Sequence, residues 1–117
     1  MAQAKEVDMT IYISGPITID PDNWRTHFAD AEEFLRNKYP NAKIINPLTL
    51  ENDPDYIDVQ EQGLDGQDLY HWVMRRDIRL VTTCSHIYAL KGWERSPGAR
   101  LEINVGTTLG CDVLFEQ

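Results

Sequence analysis

The 117-residue chain is 42% hydrophobic and 26% charged, with a formal charge of −8, a balance that excludes fibrous and disordered classes and fits one globular domain spanning residues 1–117. No apolar run approaches the roughly 18–20 residues of a membrane span, and the N-terminal residues lack the apolar core of a signal peptide. A cytoplasmic protein without a membrane partner is expected.

Met9 to Ser14 is β-branched and aromatic and ends at Gly15-Pro16, which reads as a buried first strand. Asn23 then suits the N-cap of a helix in which Trp24, Phe28, Ala31 and Leu35 recur at three- and four-residue steps, ending before Pro40. Ala42 to Ile45 is a short second strand closed by Asn46-Pro47.

The stretch 46–68 holds seven acids (Glu51, Asp53, Asp55, Asp58, Glu61, Asp65, Asp68) and no Lys or Arg. Broken by Pro47, Pro54, Gly63 and Gly66, it reads as an acidic loop. About 20 residues without periodicity is long for a connection, so the loop is either solvated or a lid over a ligand. The remaining 12 acids stand against 11 bases. No basic stripe is available for a nucleic-acid polymer, although a small nucleotide needs only a few donors.

Helical spacing returns from Asp68, with Leu69, Val73, Asp77 and Leu80 on one face. Ser85 to Leu90 reads as a third strand, Ser96 to about Leu109 as a third helix ended by Gly110, and Cys111 to Phe115 as a last strand. Alternating strands and helices imply an α/β fold with a small, mainly parallel sheet of four or five strands and helices on both faces. In such sheets ligands bind beyond the carboxyl ends of the strands, which directs attention to Ser14–Thr18, Asn46–Leu50 and Lys91–Gly98.

Within the last of these, Ser96 is a favoured N-cap and Pro97 a favoured first helical residue. Gly98 leaves backbone N–H groups approachable, so this helix start suits an anion such as a phosphate. Glu102 lies one turn further on. Gly98, Glu102, Val105, Gly106 and Leu109 share a helical face whose glycines permit close approach to the sheet, so Glu102 points inward. The ordinary alternative is a surface Glu favoured by the helix dipole. Gly106 to Gly110 looks glycine-rich, but at the negative end of a helix it is only a terminus.

Asp77 occupies a position that the apolar stripe of its helix would otherwise fill. It is either a structural partner for an Arg or a functional acid of raised pKa. Two inward carboxylates suit a glycosidic reaction, one acting at C1′ and the other managing a proton. The hydroxyl of Tyr12 is placed to orient Glu102. Trp93 offers a stacking wall for a base, or else packs on its neighbouring loop. Arg25, Arg75, Arg76 and Arg100 are phosphate candidates by residue type alone, most of them expected at the surface. His27, His71 and His86 lack ligand spacing. Cys84 and Cys111 read as buried small hydrophobes, and no metal or cofactor is expected.

Taken together, Ile11-Tyr12-Ile13-Ser14-Gly15-Pro16-Ile17-Thr18, Asn46-Pro47, Met74-Arg75-Arg76-Asp77-Ile78 and the run from Gly92 to Glu102 resemble the nucleoside 2-deoxyribosyltransferase-like superfamily. That group includes the 2′-deoxynucleoside 5′-monophosphate N-glycosidases, and the chain looks closest to a small, often phage-encoded branch of it. The resemblance implies a flavodoxin-like fold and cleavage of an N-glycosidic bond with Glu102 as nucleophile. Asp77 would assist departure of the base or activate the acceptor, and Tyr12 would hold Glu102. Ser96 and Gly98 match positions that hold the 5′-phosphate. Gly15 and Pro16 would shape the pocket floor, with Ser14, Trp93 and Arg25 as further expected substrate contacts. The implied partners are a nucleotide or nucleoside and further copies of the chain in a homodimer or larger homo-oligomer. A catalytically silent nucleotide-binding module, or an interaction domain in which both carboxylates are structural, are the alternatives.

Overall fold

The computed structural model describes residues 6–17 and 21–117. Four strands, β1 (Thr10–Ser14), β2 (Lys43–Ile45), β3 (His86–Ala89) and β4 (Asp112–Phe115), form one sheet in the order β2-β1-β3-β4. All three pairings are parallel, and Tyr12 stands in register with Ile45 on one side and Ile87 on the other. Helices α1 (Pro21–Lys38), α2 (Pro54–Glu61), α3 (Gly66–Val81) and α4 (Pro97–Thr108) make the connections. This is the flavodoxin-like, Rossmann-like arrangement expected, with the strand order reversing between β1 and β3.

Side chains of a strand alternate between faces, and β1 uses the alternation to build two unlike layers. Ile11 and Ile13 join Phe28, Ala31 and Leu35 of α1, with Ile44, Tyr88 and Leu90, in one buried cluster. Tyr12 joins Val81 of α3, Ile103 of α4, Ile87, Ala89 and Cys111 in the other. In α4, Gly106 is buried against β3. A Cβ there would lie 2.2 Å from Cδ1 of Ile87, so only glycine lets the helix come this close. Gly110, with φ +94°, takes the left-handed conformation just beyond the end of α4.

Several expected boundaries change. Helix α1 begins at Pro21, not after Asn23, because proline suits a first helical turn. Residues 46–68 are not a loop. Pro47–Asn52 is a 3-10 turn, Pro54–Glu61 is α2, and α3 starts at Gly66, not at Asp68. The missed signal is Asp53-Pro54, an N-cap followed by a first-turn proline. Oδ1 of Asp53 accepts from the N–H of Asp55 at 2.9 Å. Leu109 does not face the sheet and is exposed. Among the described residues no helix is long and apolar enough to cross a membrane.

Candidate active site

Three elements converge at the carboxyl edge of the sheet where the strand order reverses. β1 ends in Tyr12 and Ser14 on its α4 side, α4 presents Glu102 one turn from its start, and α3 presents Asp77. Ser96 caps α4 as expected, its Oγ accepting from the N–H of Ala99 at 3.2 Å.

Glu102 is only 6% exposed and is held at both oxygens. Tyr12 donates to Oε2 at 2.5 Å and Ser14 donates to Oε1 at 2.7 Å. Burial, and then the charge of Asp77, push the Glu102 carboxyl up to about 7, against the opposing pull of those two donors. Burial also raises Asp77, although the guanidinium of Arg76 restrains it. The Tyr12 hydroxyl, raised well above its ordinary range by burial and by both carboxylates, stays protonated and remains a donor.

Two buried carboxylates around one tyrosine are costly unless they are partnered. Arg76 partners Asp77. Its Nη2 and Nε donate to Oδ1 of Asp77 at 2.6 and 3.2 Å, while Nη1 donates to Oδ2 of Asp53 at 2.8 Å. Hydrogen bonding from Arg76 holds the Asp53 carboxyl below the usual range.

Glu102 and Asp77 line a cavity of about 80 Å³ together with Gly15, Ser96, Gly98 and Met74. Ile17 and Tyr70, both more than two-fifths exposed, belong to the same lining and flank its opening. Larger hollows occur on the surface, one of about 600 Å³ between α1 and β4, but none of those described contains a buried carboxylate. The small one is the candidate site, because that is where ionisable groups are desolvated against each other.

Of the expected site residues, the fold thus brings together Tyr12, Ser14, Gly15, Asp77, Ser96, Gly98 and Glu102. Gly98 packs on Met74 of α3 and not on the sheet. Pro16 is fully buried beside Gly92 and is not in the lining. Trp93 does not wall the cavity. It leans on Phe115, with ring centroids 6.1 Å apart, and packs into the core cluster of α3 and α4. Arg25 lies exposed in the early turns of α1, outside the lining, and Thr18 of the predicted edge segment falls outside the described residues. Sequence reasoning missed Tyr70 and Met74, which sit seven and three residues before Asp77 and so share its side of α3. It also missed the engagement of Arg76, since adjacent helical residues do not ordinarily face one another. No group of three or more His, Cys, Asp and Glu among the described residues is arranged to hold a metal ion.

Residues 9–115 match the family described as Domain of unknown function (DUF4406), and the chain belongs to that family. No curated protein matches it. Solved structures do match, among them the 2-desoxiribosyltransferase from Leishmania mexicana, with a TM-score of 0.61 at 21% sequence identity. The match covers 92% of this chain and 63% of that one, so the chain spans less than two thirds of that protein's length. At this identity the likeness is one of fold.

Proposed function

We propose that the protein cleaves or transfers the N-glycosidic bond of a 2′-deoxynucleoside 5′-monophosphate or nucleoside, with Glu102 as nucleophile. The observation that carries this reading is a buried carboxylate held at both oxygens by Tyr12 and Ser14, with a second carboxylate across the same cavity. Such a pair suits an oxocarbenium-like transition state at a sugar carbon. The fold likeness to a 2-desoxiribosyltransferase is consistent with it.

In the proposed reaction an ionised Glu102 oxygen attacks C1′. The C1′–N bond breaks, its electron pair leaves with the base, and Asp77 gives that nitrogen a proton. Water or a second base then attacks C1′, passes its proton to the Asp77 carboxylate, and releases Glu102. Tyr12 and Ser14 hold the attacking carboxylate by its two oxygens, so little reorganisation is needed when charge moves onto the sugar. The start of α4, at Ser96 to Gly98, faces the same cavity and would receive a 5′-phosphate on its positive end.

A cavity of about 80 Å³ is well below the roughly 300–1,000 Å³ of typical ligand pockets. The sugar is therefore the part held inside, and the base lies toward the opening between Ile17 and Tyr70. Incubation with a panel of deoxynucleosides and their 5′-monophosphates tests the reading. The wild type should release free base and Glu102→Gln should not; thermal stabilisation by a nucleotide without turnover would instead indicate a binding module. Adding a second free base separates transfer from hydrolysis.

A further inference from the structure

No step of the proposed reaction uses Arg76, yet all three nitrogens of its buried guanidinium are committed to two carboxylates. Nε and Nη2 converge on one oxygen of Asp77, Oδ1, and leave Oδ2 outside the grip. Nη1 reaches 23 residues back in the chain to Oδ2 of Asp53. The other oxygen of Asp53 caps α2 through the N–H of Asp55, so the cap itself aims Oδ2 at Arg76. Helix α2 has no buried residue, and besides this ion pair it meets α3 through the Tyr56 and Trp72 rings, 6.1 Å apart.

We propose that Asp53 and Arg76 are positioning residues for Asp77: α2, docked through its own N-cap, holds the guanidinium, and the guanidinium holds one Asp77 oxygen so that the other stays directed at the cavity. This inference rests on the function proposed above. A pair serving only to neutralise a buried charge would need neither the one-sided grip on Asp77 nor the second acid. The arrangement also gives the acidic stretch a role, because its first capping residue reaches the site. The charged and titratable groups that meet Asp77 are Arg76 on its own helix, Tyr12 from β1 and Glu102 from α4, with Asp53 behind Arg76.

Asp53→Asn separates the brace from the cap. Asn caps helices as well as Asp does. With its oxygen kept on the Asp55 N–H, it must turn its NH₂ toward Nη1 of Arg76, donor against donor. Base release is followed against pH in Asp53→Asn and Arg76→Lys, and the Asp77 carboxyl is titrated by ¹³C NMR in the full chain, a readout that needs no turnover. Both variants should lower kcat about tenfold while KM stays within about twofold. Asp53→Asn should move the Asp77 titration to higher pH, because the cation's hold on the ionised form is loosened. Were Asp53 only a nearby negative charge, its removal would move that titration to lower pH. A shift to lower pH, no shift, or an unchanged kcat in both variants overturns the brace. If the wild type releases no base, the proposed function fails, and the direction of the Asp77 titration alone decides this inference.

Discussion

The two faces of one sheet, built from the same strands, are used in opposite ways. Toward α1, Ile11, Ile13, Phe28, Leu35 and Ile44 meet in a layer where no described carboxylate is buried, and every buried methylene there favours folding. Toward α3 and α4, the same strand β1 delivers Tyr12 and Ser14 to Glu102 and Asp77, and burial there works against the charged groups it surrounds. The difference follows from a period of two in β1, and it teaches that one face secures the scaffold while the other spends stability on a desolvated site.

Glu102→Gln breaks the comparison most severely. Loss of the proposed nucleophile should reduce base release by at least ~10³-fold, measured as kcat. In the wild type the rate should rise as Glu102 ionises and fall again once Asp77 gives up the proton it donates to the base, a bell-shaped profile. The same substitution should stabilise the fold in alkali. Below the ordinary carboxyl value of 4.5 folded and unfolded chains both hold the proton, so Glu102 has no pH-linked cost. Between 4.5 and about 7 the unfolded chain releases it while the folded chain keeps it, and stability falls as pH rises. The full cost, about 3 kcal/mol, is present above that range. Denaturant unfolding at pH 8.5 should therefore show Glu102→Gln more stable than the wild type, and at pH 4 the two should be close.

Phe28→Ala addresses the opposite face. It should cost about 3–5 kcal/mol of stability and leave the kcat of folded protein unchanged, as checked by melts alongside assays at low temperature. An altered kcat at full folding would show that the two faces are not independent.

Tyr12→Phe tests the chemical face more gently. It removes one of two donors to Glu102 and should lower kcat by about tenfold or more. Because the Tyr12 hydrogen bond pulls the Glu102 carboxyl down, its loss should move the acid limb of the rate profile to higher pH.

Gly106→Ala is expected to have the smallest effect. Its new methyl group must displace Ile87, at about 1–3 kcal/mol of overpacking. Since Glu102 lies one turn away on the same helix, kcat should fall with stability. A loss of stability alone would show that α4 absorbs the strain beyond the site.

How far the sequence reached depended on the range of the signal. The strand run at Thr10–Ser14, the Ser96-Pro97 helix start and the alternation of elements are local patterns, and they predict a mainly parallel sheet of four or five strands and the inward Glu102. The same capping logic at Asp53-Pro54 was available, but it was obscured by the acidic composition around it. Trp93 carries an aromatic face suited to a base, yet residue type does not say which way a ring turns, and here it turns to Phe115.

By itself, then, the sequence determined the α/β class, the parallel sheet and the acid one turn inside a capped helix, because periodicity, caps and breakers act within a few residues. Only the tertiary structure decided that Tyr12 and Ser14 grip opposite oxygens of Glu102, and that Asp53, 23 residues before Arg76, completes a chain of ion pairs to Asp77. Those contacts span up to 90 residues of sequence. They exist because burial forces each charge to find a partner wherever the fold supplies one.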